Sequence, residues 1–346
     1  MKTEAMLLVQ TGRPLEMAEI AIPALKPGQV LVEIAYSGAC GTQVMEQRGL
    51  KGHDKWVPHC LGHEGSGTVL ETGAGVSKVK PGDQVVLSWI RGSGIEAGGT
   101  IYDWNGRRVN AGGVTTFQRH AVVSENRLTP LPAGLPMEVA VLLGCAAPTG
   151  IGSVVNVLRV LPGESVAVFG TGGIGLNACM AAALAGAVPV IGVDPNPHRR
   201  ALAESYGATH TIDPGVDDPV AVIRALVPHG VDAAVEASGQ PAVMEQALKA
   251  VRPQGGRAVV IGNARHGATL TLDPGLFNQG KSLLGTWGGD VVPDRDHPRF
   301  ARLLGAARFD VRRLLSKPYR LDETNQALDD LAEGRVGRPL IDMRLA

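Results

Sequence analysis

Three residues with metal-binding side chains stand far apart in the sequence: Cys40, His63 and Cys145. Two thiolates and one imidazole form a donor set that favours Zn²⁺, and three protein ligands leave a fourth position for water or substrate. An open position of this kind is typical of a catalytic site, because a structural zinc needs a fourth protein ligand. Taken singly, each cysteine is about as often a small buried packing residue, so that alternative remains open.

A glycine-rich turn follows the apolar segment "SVAVF" and precedes a small-residue helix. The residues assigned to this turn are Gly170, Gly172, Gly173, Ile174 and Gly175. The G-x-G-x-x-G spacing lets backbone N–H groups approach a pyrophosphate at the helix N-terminus. Asp194 ends the next predicted strand, where a carboxylate accepts ribose hydroxyls and repels a 2′-phosphate. The pattern predicts NAD in preference to NADP, and Arg199 on the following helix softens that preference. The alternative is an ordinary glycine turn of another α/β fold.

Two kinds of sequence pattern surround these residues. The first 145 residues carry short apolar segments such as "QVLVEIAYSGA", separated by glycine- and proline-rich turns, and this predicts a compact β-rich domain. From "SVAVF" onward, apolar strands alternate with helical segments, which indicates a doubly wound parallel sheet. We therefore expect an α/β protein with one domain over residues 1–147 and 289–346 and a nucleotide-binding domain over residues 148–288.

Composition narrows the classes of partner. The 346 residues suffice for two domains, and 33 basic residues balance 33 acidic ones, so neither nucleic acid nor membrane is expected as a partner. The 4 cysteines are too few for a disulfide scaffold, which favours a reducing compartment and a cytoplasmic location. The longest apolar run, 179–193, is interrupted by Gly186 and Pro189 and predicts a buried helix and strand rather than a membrane span.

Several segments, in their order along the chain, resemble the zinc-dependent medium-chain alcohol dehydrogenases. They are "GACGT", "LGHEGSGTV", "KVKPGDQV", "LLGCAAPTG", "GTGGIG", "VDPNPHRRALAESYGAT" and "GRVGRPLI". The resemblance implies a GroES-like catalytic domain beside a Rossmann nucleotide domain. It also implies that Cys40, His63 and Cys145 ligate zinc, with Glu64 close behind the metal and grouped with its ligands. Thr42 matches the hydroxyl that hydrogen-bonds to the zinc-bound alcohol and passes on its proton.

The same resemblance assigns residues around cofactor and substrate. Thr149, Ile261 and Arg338 match cofactor-binding positions, with Arg338 on the pyrophosphate, while Trp89 and Trp287 match the substrate pocket or are ordinary core tryptophans. The implied reaction is hydride transfer between an alcohol and NAD, promoted by zinc. A polar segment at 90–113 suits a secondary alcohol, polyol or sugar- or cyclitol-like substrate, or else forms a solvated surface.

The chain departs from the family pattern in four places, one of which is Gly41, where some members have a basic residue over the pyrophosphate. Residues 88–113, where many members carry a four-cysteine structural zinc lobe, contain no cysteine, so we expect one zinc per chain. Gln43 stands where the family usually has an aspartate that accepts the second N–H of the ligating histidine. A glutamine oxygen also accepts that proton without adding charge, and the alternative is that Gln43 only caps a turn. Met45 stands where some members end the proton relay with histidine.

Two other functions remain as alternatives. One is a zinc-free reductase of the same superfamily acting on enones or quinones, and the other is a catalytically silent nucleotide-binding protein. The three candidate ligands and Thr42 argue against both. Family members are dimers or tetramers joined along the nucleotide-domain sheet edge, here near residues 270–288, so we expect a homodimer or homotetramer.

Overall fold

The computed structural model describes residues 1–305 and 309–345. Contacts divide the chain into two units. The first unit comprises residues 1–145 and 292–346, and the second comprises residues 146–291. The domain limits expected from the sequence, 147 and 289, lie two and three residues from these bounds.

The regular elements of the first 145 residues are mostly strands, because β-branched residues alternate there with turn residues over short intervals. Their elements are β1 (Lys2–Leu8), β2 (Glu16–Ala21), β3 (Gln29–Gly38), α1 (Gly41–Gln47), β4 (His59–Cys60), β5 (Glu64–Thr72), β6 (Gln84–Ser88), β7 (Ile101–Trp104), β8 (Arg107–Asn110), β9 (His120–Ser124), β10 (Leu128–Pro130) and α2 (Met137–Ala140). A 3₁₀ turn over Val141–Gly144 then leads to Cys145.

Residues 146–291 alternate strand and helix. Their elements are α3 (Ala146–Gly152), β11 (Val166–Phe169), α4 (Gly173–Leu184), β12 (Val190–Val193), α5 (Pro197–Ser205), β13 (His210–Ile212), α6 (Pro219–Leu226), β14 (Ala233–Glu236), α7 (Pro241–Ala250), β15 (Arg257–Val260), α8 (Gly275–Asn278) and β16 (Ser282–Gly285). The strands are all parallel in the order β13-β12-β11-β14-β15-β16. The chain reverses direction across the sheet between β11 and β14, which is where such folds bind nucleotides. The predicted doubly wound sheet is confirmed.

The last segment returns to the first unit. Its elements are α9 (Pro293–Gly305), β17 (Leu315–Tyr319), α10 (Thr324–Ala332) and β18 (Arg338–Asp342). Strand β18 pairs antiparallel with β3, with Leu340 opposite Gly38, and parallel with β17. This pairing brings Arg338 beside the end of β3, where Cys40 follows.

Two sheets build the first unit. One is a closed barrel of β1, β2, β7, β8 and β4, and the other is a mixed sheet in the order β10-β6-β5-β3-β18-β17, with β9 also paired to β3. Strand β3 is buried along most of its length because β5, β9 and β18 surround it. A large apolar cluster that includes Val30, Val32 and Ile34 packs around it.

The cysteine-free segment 88–113 contains the hairpin of β7 and β8. Asn105 and Gly106 form its turn with φ of 52° and 83°, as a two-residue turn of this kind requires. Tyr102 of β7 is buried, and its hydroxyl accepts the backbone N–H of Val122 at 2.8 Å. The hairpin closes the barrel by pairing β7 with β2 and β8 with β4, while the Tyr102 hydroxyl connects it to β9 of the other sheet.

Among the described residues, no single helix has the length and apolar character needed to cross a bilayer. One bent pair, 137–144 with 146–157, reaches the required length and composition only when its two parts are counted together.

Candidate active site

Cys40, His63 and Cys145 converge in the first unit. Their ligand atoms all lie within 4.8 Å of one another. Cys40 follows β3 at the start of α1, His63 lies between β4 and β5, and Cys145 follows the turn after α2. His63 Nε2 is buried and has no hydrogen-bond partner among the described residues. A buried imidazole nitrogen without a partner costs free energy, so this atom and the two thiols fit a metal ion such as Zn²⁺.

The charges of the cluster also suit a cation. A hydrogen bond from Cys145 and the positive charges of Arg338 and His63 hold the pKa of Cys40 well below its usual range, against the opposing effect of burial. The same hydrogen bond, together with burial, raises the pKa of Cys145. A thiol that loses its proton readily suits a cation, because metals bind the thiolate form of cysteine.

Glu64 and Arg338 form a buried ion pair behind this cluster. Arg338 donates to Glu64 Oε2 at 2.8 Å, and the two side chains are 3% and 0% exposed. Burial raises the pKa of Glu64 despite the opposing charge of Arg338. Two glycines make room for this carboxylate. A Cβ at Gly38 would lie 2.6 Å from Glu64 Oε1, and a Cβ at Gly144 would lie 2.6 Å from Glu64 Cβ.

This pair differs from two expectations drawn from the sequence. Glu64 is grouped there with the metal ligands, but the ligand atoms that converge are those of the two cysteines and His63. Arg338 is expected on the cofactor pyrophosphate, but its guanidinium is buried against Glu64. The physical reason is the pairing of β18 with β3, which places Arg338 next to the cluster. A pyrophosphate contact for Arg338 remains a prediction that this placement does not favour.

Thr42 and Gln43 occupy the first turn of α1. Thr42 Oγ1 lies 3.9 Å from Cys40 Sγ. Gln43 is 1% exposed; its Oε1 accepts the Cys40 backbone N–H at 2.9 Å, and its Nε2 lies 2.5 Å from His63 Nδ1. Gln43 therefore caps the turn with its oxygen, and it meets the histidine ring through its –NH₂ group and not through the oxygen that was expected to accept the ring N–H.

The two tryptophans lie in different surroundings. The Trp89 ring packs edge-on against His63, with centroids 6.4 Å apart. Trp287 belongs to the second unit and is 73% exposed. Trp89 therefore contacts a candidate metal ligand of the first unit, whereas Trp287 is an exposed residue of the second unit.

A cavity of about 590 Å³ lies in the first unit, between the segment after α1 and the β7–β8 hairpin. Its walls include Glu46, Lys51, His53, Asp54, Trp56, His59 and Ile101. Glu46 lies one helical turn beyond Thr42 on α1, so the two side chains share a face about 6 Å apart. The wall carries the ion pair of Lys51 with Glu46 and a hydrogen bond between His59 Nε2 and Asp54, each at 2.8 Å.

The glycine turn of the second unit has the form that a dinucleotide requires. Gly170 follows β11 with φ of +88°, and Gly172 caps the N-terminus of α4. A Cβ at Gly175 would lie 1.9 Å from the Gly170 carbonyl oxygen, so helix and strand approach too closely for any side chain. A Cβ at Gly172 would meet nothing within 4 Å, which leaves open space in front of the helix N-terminus. The turn fits a pyrophosphate there.

Asp194 lies directly after β12 and is 3% exposed. Its Oδ2 accepts the Thr171 N–H at 2.8 Å and its Oδ1 accepts the Asn196 N–H at 2.9 Å. The carboxylate is thus held beside the glycine turn. Arg199 on α5 is half-buried, and its Nε has no hydrogen-bond partner among the described residues.

The other candidate cofactor residues of this unit are Thr149 and Ile261. The Thr149 hydroxyl is buried without a hydrogen-bond partner in the described part of the chain. Ile261 follows β15, and its N–H donates to the Glu236 carbonyl at 2.9 Å. Gly173 and Ile174 form the first turn of α4.

Sequence reasoning missed the residues that support Glu64. Ser37 and Thr116 donate to the Glu64 carbonyl at 3.2 and 3.1 Å and contact each other at 2.7 Å. Gly38 and Gly144 lie within the quoted motifs "GACGT" and "LLGCAAPTG", so their positions carried a signal of close packing. Nothing in the local pattern around Thr116 pointed to this contact.

A parallel nucleotide-binding sheet and a buried Cys–His–Cys cluster on one chain are together typical of metal-dependent dehydrogenases. Comparison with known families agrees. Residues 26–133 match the alcohol dehydrogenase GroES-like domain, and residues 173–306 match the zinc-binding dehydrogenase domain.

Individual relatives cover almost the whole chain. A geraniol dehydrogenase of Castellaniella defragrans is 34% identical, over 98% of this chain and 97% of its own. An S-(hydroxymethyl)glutathione dehydrogenase of Escherichia coli is 33% identical, over 99% and 100%. The crystal structure of a benzyl alcohol dehydrogenase from Acinetobacter calcoaceticus superposes with a TM-score of 0.88 at 30% identity, over 99% of each chain. The chain therefore belongs to the zinc-type alcohol dehydrogenases of the medium-chain dehydrogenase/reductase family.

Proposed function

We propose that this protein is a zinc- and NAD-dependent alcohol dehydrogenase whose single metal site consists of Cys40, His63 and Cys145. The observation that carries the proposal is the convergence of these three ligand atoms within 4.8 Å, with His63 Nε2 buried and unpartnered among the described residues. Neither a zinc-free reductase nor a catalytically silent nucleotide-binding protein requires such a cluster of ligands. The cytoplasm remains our proposal for its location.

The metal site, the glycine turn and Thr42 each have a separate role in the proposed reaction. Zinc held by the three ligands would lower the pKa of an alcohol hydroxyl, and NAD held at the glycine turn would accept the hydride. Thr42, 3.9 Å from Cys40 Sγ, receives the hydroxyl proton and passes it to solvent. Alcohol and NAD⁺ thus give a carbonyl compound, NADH and a proton. Thr42 is partly exposed, so this proton reaches solvent without crossing the core.

NAD is the preferred nucleotide in this proposal. Asp194 is fixed by two backbone N–H groups beside the glycine turn, so its charge cannot swing away from a 2′-phosphate. Arg199 stands on the adjoining helix as the nearby positive charge that weakens, without reversing, this preference.

We propose that the cavity of about 590 Å³ takes the part of a larger substrate that extends away from the metal ligands, since its wall residue Glu46 lies one helical turn from Thr42. Trp56 and Ile101 form apolar parts of its wall. Such a wall suits extended or aromatic alcohols, like those in the names of the relatives geraniol dehydrogenase and benzyl alcohol dehydrogenase. The Glu46–Lys51 ion pair and the hydrogen-bonded Asp54 and His59 favour a second candidate, a secondary alcohol, polyol or sugar- or cyclitol-like substrate that hydrogen-bonds to them.

We also propose a homodimer or homotetramer formed along β16. This strand is the last of the parallel sheet and pairs on one side only among the described residues. Phe277 and Trp287, before and after it, are 46% and 73% exposed. Light scattering on the purified protein tests this, and a monomer would contradict it.

The test of function measures NADH formation with benzyl alcohol, geraniol, secondary alcohols and polyols. We expect turnover by the native chain and none by Cys40→Ala. Cys60→Ala is the matched control, since Cys60 is equally buried in the same unit but lies outside the cluster. Turnover by Cys40→Ala, or reduction of enones without metal, would contradict the proposal.

A further inference from the structure

The amide of Gln43 connects two groups of the candidate metal site. Oε1 accepts the Cys40 backbone N–H at 2.9 Å, and Nε2 lies 2.5 Å from His63 Nδ1. Gln43 is 1% exposed, so water does not replace either partner. Its side chain therefore joins the buried Cys40 backbone to the half-buried His63 ring.

The Cys40 N–H determines which way this amide points. A backbone N–H can only donate, so the group that faces it must be the glutamine oxygen. The reversed amide would set two donors against each other and leave the buried Cys40 N–H without an acceptor, which is costly. The Gln43 –NH₂ group consequently faces His63.

His63 then meets conflicting demands. A metal ligand must offer a lone pair at Nε2, the buried ring nitrogen without a hydrogen-bond partner among the described residues. Neutral imidazole has one lone pair, so its proton must lie on Nδ1, and Nδ1–H needs an acceptor. The group 2.5 Å away is a donor. With the amide as it stands, Nδ1 accepts from Gln43 and the proton lies on Nε2, where it blocks metal binding.

We propose that Gln43 is a positioning residue whose amide reverses when the metal binds. In the metal-free chain, Oε1 holds the Cys40 N–H and Nε2 donates to His63. In the metal-loaded chain, Oε1 accepts the His63 Nδ1–H, and the Cys40 N–H gives up its partner. This inference rests on the metal site of the proposed function and adds a coupling between metal, imidazole tautomer and amide orientation.

A carboxylate at position 43 would remove the conflict. Its two oxygens accept the Cys40 N–H and the His63 Nδ1–H at once, and its side chain has the shape of glutamine. The native chain should therefore hold its metal less tightly than the Gln43→Glu variant does. Outer partners of ligating histidines typically change metal affinity 10- to 100-fold.

The Zn²⁺ affinity of each variant is measured by competition between the full-length protein and a chromophoric chelator. We expect Gln43→Glu to bind Zn²⁺ at least about tenfold more tightly than the native chain. Gln10→Glu adds the same charge at an exposed position and should leave the affinity unchanged. If the native chain and Gln43→Glu bind Zn²⁺ equally tightly, and Cys40→Ala abolishes this binding, the amide reversal is wrong and the proposed metal site stands. Zinc uptake that survives Cys40→Ala would instead overturn the proposed site.

Nitrogen-15 NMR of the imidazole gives a second, direct readout, with the His63 signals assigned from their loss in His63→Gln. We expect the His63 proton on Nε2 in the metal-free chain and on Nδ1 in the Zn²⁺-loaded chain. A proton on Nδ1 in both forms, or on neither nitrogen in the loaded form, would overturn the proposal.

Discussion

Arg338 donates to Glu64 across 2.8 Å in the interior of the first unit, although 274 positions separate the two residues. The pair lies behind Cys40, where the Arg338 charge lowers the pKa of the thiol. A buried positive charge thus offsets one acidic group and favours the thiolate that a metal ion needs. Glu64 begins β5 and Arg338 begins β18, and both strands pair with β3, so the site depends on parts of the first unit that are distant in sequence.

Removing one member of this pair should destabilise the protein. Arg338→Met leaves the Glu64 carboxylate buried without a counter-charge, and we expect a loss of about 3–5 kcal/mol in the free energy of unfolding. Urea unfolding measures this loss of stability. The double variant Glu64→Gln with Arg338→Met should recover part of it, because it removes the unpaired charge. Lys2→Met breaks an exposed ion pair and is the control, with little change expected. Unchanged stability with a raised KM for NAD would contradict this account and support the pyrophosphate contact.

Two glycines of the cofactor turn should respond differently to alanine. Gly175→Ala forces a Cβ to 1.9 Å from the Gly170 oxygen, so we expect α4 to shift and both stability and NAD binding to fall. Gly172→Ala meets no protein atom within 4 Å, so the variant should fold normally and lose only NAD affinity. Thermal unfolding and calorimetric titration with NAD separate the effects. Unaltered NAD affinity in Gly172→Ala would contradict a pyrophosphate at this position.

Asp194 should determine the choice between NAD and NADP. Asp194→Asn removes the charge that repels a 2′-phosphate, and we expect kcat/KM for NADP relative to NAD to rise on the order of tenfold, about 1.4 kcal/mol. Asp213→Asn removes a charge of the same unit that is paired with Arg200, and serves as the control. Equal shifts in both variants would show that the effect is not specific to Asp194.

His297 on α9 should make stability depend on pH. Burial lowers its pKa from 6.5 to about 4, with Asp294, Lys78 and Asp296 as its charged neighbours. The folded state therefore keeps this ring neutral while the unfolded chain protonates it, so the contribution is complete above pH 6.5 and is lost as the pH falls towards 4. The difference amounts to roughly 3 kcal/mol.

Urea unfolding of the native chain and of His297→Leu across this range isolates that contribution, because other groups titrate alike in both. We expect the native chain to lose more stability than the variant between pH 6.5 and 4. Parallel pH dependences would contradict a neutral buried His297.

Much of the architecture followed from the sequence because its signals are local. The glycine turn between "SVAVF" and a small-residue helix predicted β11 and α4, and alternating apolar segments predicted the parallel sheet. The Glu64–Arg338 pair left no such local signal, since it depends on how β18 pairs with β3. The orientation of the Gln43 amide was equally hidden, because it follows from the Cys40 N–H and not from residue types.

Metal analysis of the purified protein tests the central claim most directly. The account predicts about one zinc per chain in the native protein, the same in Cys60→Ala, and none in Cys145→Ala. A chain without zinc, a second zinc per chain, or zinc that persists in Cys145→Ala would contradict it.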